Sequence, residues 1–190
     1  MKYIASLVVL AWLSGCATQE TIDTDVETDA VTGAKVRRER INLPQNVECT
    51  DFAKLSNSVP PPELYGGLVR CIQEDRLNIA VRYFALAGTY TTYDTYRVTE
   101  AEPRKLHNKL PLRVRELVGE KKWREFWATT TTTLSTPDTL AEVCQDVRKM
   151  APPQYTPRYM SKSSPAANVE GNAAAFYSKA LESYLHCPKS

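Results

Sequence analysis

Four cysteines, Cys49, Cys71, Cys144 and Cys187, constrain this 190-residue chain more than any other feature. A fifth, Cys16, closes an apolar run near the N-terminus. That run, Ile4 to Leu13, follows Met1-Lys2-Tyr3. One positive charge and about ten apolar residues make a signal-peptide core, whereas a spanning helix needs roughly twenty. Export puts the thiols in an oxidising compartment, where an even number reads as two disulfides. Three connectivities are open. Cys49–Cys71 and Cys144–Cys187 are favoured, because each ties a flanking segment to a nearby predicted helix and the second pins the C-terminal tail. Each bond is worth roughly 2–4 kcal/mol. No Cys-x-x-Cys occurs and His186-Cys187 is the only adjacent ligand pair, so neither a metal nor a cofactor is expected.

The apolar run ends in Leu13-Ser14-Gly15-Cys16. This resembles the lipobox of bacterial lipoproteins: a Leu, two small residues that a peptidase can grip, and the thiol that receives a diacylglycerol group. The resemblance implies a signal peptide over 1–15 and a lipidated Cys16. It also implies acyl chains such as palmitate holding the protein to a membrane, since more than one chain makes anchoring stable. Ala17, not Asp, follows the cysteine. By resemblance to enterobacterial sorting this favours the periplasmic face of the outer membrane.

Residues 17–34 hold Glu20, Asp23, Asp25, Glu27 and Asp29 and no basic residue. A run with so little apolar surface cannot order itself, and its like charges extend it. The expectation is an acidic flexible tether over 16–40 and a helical globular domain over 41–190. Setting aside Lys2 and the five tether acids leaves 23 basic and 17 acidic side chains in 35–190. That mild excess, densest at Lys35, Arg37, Arg38 and Arg40, is too small to predict a nucleic-acid partner.

Helical spacing runs through most of the rest. Pro60-Pro61-Pro62-Glu63 starts a helix carrying Leu64, Leu68, Cys71 and Ile72, and Asp75-Arg76 breaks it. A second helix starts near Leu77 with Ala80, Val81, Phe84, Ala87 and Tyr90, and Gly88 late in it either weakens it or admits close packing. The pair resembles one tetratricopeptide-like or Sel1-like hairpin. No second copy follows, which excludes a solenoid. Pro103 marks a further helix start and Pro111 divides the stretch after it. Trp123, Phe126 and Trp127 lie on a helix led by Glu120-Lys121-Lys122. Thr129 to Thr133 reads as a helix end and connector, with a short strand as the lesser reading. Asp138 caps or opens the next helix. Residues 151–168 form a long Pro-rich loop, and a last helix carries Phe176, Tyr177, Leu181, Tyr184 and Leu185. The fold class is all-α: a compact helical domain with one hairpin and two disulfides.

Catalytic constellations are scarce. His107 sits among Lys and Asn on an expected exposed face, and nothing places a nucleophile near it or His186. No phosphate loop, zinc-protease helix or Gly-x-Ser-x-Gly elbow occurs. Glu63, Glu74, Asp75, Asp94 and Glu125 are the acids a peptidoglycan-acting hydrolase could use. Asp94 stands out because Tyr90, Tyr93 and Tyr96 surround it and Arg97 follows at the spacing of a helical ion pair. The favoured reading there is a structural ion pair under tyrosines. Tyr, Trp and Arg also dominate protein interfaces. Tyr93, Asp94, Tyr96 and Arg97, with Tyr155, Arg158 and Tyr159 of the Pro-rich loop, are therefore the candidate partner-binding residues, and Arg82 shares their character.

The lipobox, the Pro60-to-Tyr65 helix start, the Phe84-Ala85-Leu86-Ala87-Gly88 helix and the Tyr184-Leu185-His186-Cys187-Pro188 ending are similar to those of small helical envelope lipoproteins. Some of these act as immunity proteins against antibacterial effectors of secretion systems. The resemblance implies a non-enzymatic protein that binds a toxin and blocks it sterically, or else an envelope-assembly scaffold. It carries over no functional residue. A peptidoglycan-acting hydrolase is the remaining reading.

Overall fold

The computed structural model describes residues 22–28, 33–98, 106–160 and 172–189. Cys16 and the expected signal segment, Pro103, and residues 161–168 of the expected Pro-rich loop lie outside the described residues. Among the described residues six α-helices build the body: α1 Pro61–Gln73, α2 Leu77–Arg97, α3 Leu106–Val118, α4 Glu120–Ser135, α5 Pro137–Lys149 and α6 Ala173–Leu185. The body is all-α, as its periodicity predicts. No helix among the described residues is long and apolar enough to cross a membrane.

Local chemistry sets the helix ends. Prolines occupy the first turns of α1 and α5, where a missing N–H costs nothing, and Glu63 and Asp138 place a carboxylate at each positive end. Asp75 turns the chain at φ 57° between α1 and α2. α1 and α2 form the expected hairpin and bury Leu64, Leu68, Ile72, Ala80, Val81, Leu86 and Ala87 completely. α2 is the central element, contacting each of the other five helices. Gly88 is where α6 reaches it: a Cβ there would collide with Cζ and Oη of Tyr184. The glycine thus admits close packing within an intact helix.

Both disulfides join the favoured pairs. Cys49 meets Cys71 with Cα atoms 4.9 Å apart, and Cys144 meets Cys187 at 5.7 Å. The first fastens the segment ahead of α1 to that helix, where Tyr83 Oη also bonds Thr50 Oγ1 at 2.9 Å and Arg76 donates to the carbonyl of Cys49. The second holds the tail after α6 on α5, beside a bond from Arg148 to the carbonyl of Pro188.

Three sequence expectations need correction. Thr129–Thr133 is neither helix end nor connector, for α4 runs on to Ser135. Thr129 and Thr130 hydroxyls donate to the carbonyls of Glu125 and Phe126 at 3.1 and 2.9 Å, and buried Phe126 and Thr130 fix the helix to the core. Pro111 does not divide its stretch but lies inside α3, between buried Leu110 and Val114. The tether expected over 16–40 is not wholly unordered. β1 Ile22–Thr28 and β2 Lys35–Ile41 form an antiparallel ribbon. Its backbone register sets Asp23 opposite Arg40 and Asp25 opposite Arg38. β2 reaches the body at buried Ile41 and contacts α3.

Candidate binding surface and the buried Asp94 cluster

The second half of α2 exchanges an apolar interior for a polar one. Asp94 is 0% exposed, and three side chains converge on it. Tyr155 and Tyr159 donate their hydroxyls to one carboxylate oxygen at 2.8 and 2.7 Å, and Arg97 donates to the other at 3.0 Å. Arg97 also donates to the carbonyl of Tyr155 at 2.7 Å and lies over the rings of Tyr93 and Tyr155, 5.4 and 5.8 Å from their centroids. Burial pushes the Asp94 carboxyl up to about 6, against the pull of Arg97 and of the hydrogen bonds it accepts. Burial also raises the hydroxyls of Tyr155 and Tyr159, and the Asp94 charge adds to this.

The cluster straps the Pro-rich segment 151–160 to α2. Tyr90 Oη donates to the carbonyl of Ala151 at 3.1 Å. Asn57 donates to the carbonyl of Pro152 at 3.0 Å, and the amide of Gln154 returns a bond to Asn57 at 2.9 Å. The structural ion pair under tyrosines expected at Asp94 is present. The spacing of Asp94 and Arg97 announced that pair, but nothing local announced Tyr155 and Tyr159.

The candidate partner-binding residues separate by depth. Tyr93 and Asp94 are interior, because the tyrosine ring packs on Tyr177 and the carboxylate has its donors inside. Neither faces a partner. Arg97, Tyr155 and Tyr159 turn their polar ends inward and stay partly exposed along their flanks. Tyr96 is half-buried, its hydroxyl 3.2 Å from Ser183 and its ring under Lys179. Arg158 is exposed. His107 is not on an open face: its ring meets Tyr184 edge-on at 5.4 Å, and burial holds its pKa below the ordinary value.

A cleft of about 930 Å³ opens beside this segment, between the 51–57 turn, the start of α2 and the end of α5. Phe52, Leu55, Ile79 and Met150 give it an apolar floor, and Asp51, Arg82, Asp146 and Lys149 a charged rim. Arg82 and Asp146 are bonded at 2.9 Å. Apart from Arg82 the sequence reading missed this cleft, since its residues come from three separate stretches. Among the described residues no group of His, Cys, Asp and Glu could hold a metal ion. The chain matches no protein-family profile, no curated protein and no solved structure.

Proposed function

We propose that this chain is a lipoprotein anchored through Cys16 at the periplasmic face of the outer membrane, and that it acts by binding a protein. The immunity-type reading, steric blockade of an antibacterial effector, is the specific form we favour. The observation that carries the reading is the pair of closed disulfides, which cytoplasmic reductants would not leave intact. They support export, and the lipobox supplies the anchor. Binding is favoured over hydrolysis because Asp94, the best-placed acid, spends its carboxylate on three internal donors. The cleft beside the strapped segment has the mixed character of an interface, with an apolar floor and a polar rim.

The test is co-purification of the full-length, detergent-solubilised protein with the product of the neighbouring gene. Asp51→Lys and Lys149→Glu alter exposed rim charges. Together they are expected to cost at least tenfold in partner affinity while leaving the melting temperature within a few degrees. Cleavage of purified peptidoglycan by the wild type, abolished by Asp94→Asn in a folded protein, would replace this reading with the hydrolase.

A further inference from the structure

The ribbon changes how far an anchor at Cys16 lets the body stray. Ile41 lies twenty-five residue steps beyond Cys16. As an open leash they would span up to about 85 Å. The antiparallel register instead returns Ile22 to the side of Ile41, the point where the chain joins the body. Only six residue steps then separate Cys16 from that point. Whatever their conformation, they reach about 20 Å at most. A lipid on Cys16 would hold the root of the helical body almost at the bilayer.

The helix that β2 contacts, and one packed on it, carry a matching surface. β2 contacts α3, and α3 packs on α4. The exposed large apolar side chains among the described residues are Leu112 on α3, 56% exposed, and Trp127 on α4, 47% exposed. Trp127 stacks on Trp123 at 5.7 Å, presenting a paired indole surface. Lys121 and Arg124 are exposed one turn apart on the same helix, and Arg124 lies one turn before Trp127. Residues 106–127 carry six basic and three acidic side chains. Indoles beside cations suit the headgroup layer of an anionic bilayer, and each nearby cation adds to the attraction.

We propose that the outer face of α3 and α4 rests on the anionic phospholipid leaflet that holds the anchor, with Trp127 and Leu112 in the headgroup region and Lys121 and Arg124 on phosphate. The proposal rests on the anchor assigned above. It makes the protein a surface-bound body instead of one swinging on a long leash.

The chain itself supplies the probe. Its three tryptophans are Trp12, Trp123 and Trp127, so the tryptophan emission of a chain processed at Cys16 comes only from α4. Protein purified from membranes is first weighed, which decides the anchor by itself. The acylated form is then placed in vesicles of phosphatidylglycerol and phosphatidylethanolamine containing brominated chains. If the mass shows no acylation, the anchor reading fails. The surface is then tested on the full Trp12→Phe chain, coupled through Cys16, the thiol outside the two disulfides, to a maleimide lipid.

The expected result is quenching of roughly half the tryptophan emission. It should fall at least threefold in Leu112→Asn/Arg124→Glu and in vesicles of phosphatidylcholine alone. Prolines at both Asp25 and Val26, one of which must donate across the ladder, should lengthen the leash and also reduce it. Unquenched emission from an anchored, folded protein would overturn the proposal, as would quenching indifferent to lipid charge and to both sets of substitutions.

Discussion

α2 is one helix with two interiors. From Ala80 to Ala87, Tyr83 and its bond to Thr50 apart, it buries Ala, Val, Leu and Phe against α1, α4 and α6, by contacts that have no direction and depend on area and fit. From Thr89 to Asp94 it buries two threonines, two tyrosines and a carboxylate, each of which needs a partner at a set distance and angle. The threonines solve this within the helix, Thr89 on the carbonyl of Ala85 at 2.8 Å and Thr91 on that of Ala87 at 2.7 Å. Asp94 solves it by recruiting a segment some sixty positions away. The apolar half makes the body stable. The polar half decides where one particular loop lies.

The largest test removes what backs the apolar half. Reducing both disulfides should lower unfolding free energy by about 3–4 kcal/mol for each closed loop, read as a fall in melting temperature of well over 10 °C. An unchanged melting temperature would mean that the apolar half holds without crosslinks.

The next test sets the halves against each other. Leu86→Ala should cost about 2–5 kcal/mol and leave the order of the Pro-rich segment unchanged, as a cavity in a packed core does. Asp94→Ala should cost a similar 3–5 kcal/mol, because it leaves Arg97 and two inward hydroxyls without their acceptor. It should in addition raise amide exchange through 152–160, which Leu86→Ala should not. Equal exchange in the two variants would erase the distinction.

Acid sharpens the contrast, because only the polar half titrates. The Asp94 carboxyl sits near 6 in the folded chain against 3.8 for the free group. The folded state therefore holds the proton more tightly. The resulting stability is fully present below pH 3.8 and is lost as pH rises through 6. The swing is about 3 kcal/mol. Wild type minus Asp94→Asn, measured by urea unfolding at pH 7 and pH 4, should isolate it from the other carboxylates. A difference that does not change with pH would show the carboxylate to be better solvated than its burial implies.

The smallest effect should come from single donors. Tyr155→Phe and Tyr159→Phe each remove one hydrogen bond to a charged acceptor, about 1.5–3 kcal/mol, and each should move the pH midpoint of that difference upward.

Most of the helical plan was legible because it is written locally. Prolines at helix starts, the break at Asp75-Arg76 and the three-residue step from Asp94 to Arg97 are all features of adjacent residues. The cysteine pairing followed because each partner lay beside a predicted helix. What escaped needed information from elsewhere in the chain. The acidic run looked like a tether when read alone, and only its register against Lys35–Ile41 makes it a strand. The threonine run looked β-prone, but hydroxyls bonded back one turn and burial of Phe126 outweighed that propensity. Tyr155 and Tyr159 reach Asp94 across sixty-odd residues, and the cleft draws on three segments, so no window of sequence contains either.

The cysteines pair as neighbours in order, first with second and third with fourth. If the chain is exported as proposed, threaded through a translocon from its N-terminus, this order would remove a hazard of biogenesis. Cys71 emerges next after Cys49, before any competing thiol of the body has appeared, and Cys187 emerges to find Cys144 waiting. An oxidase acting on each newcomer as it arrives would make only native bonds, and the protein would mature without an isomerase to correct it.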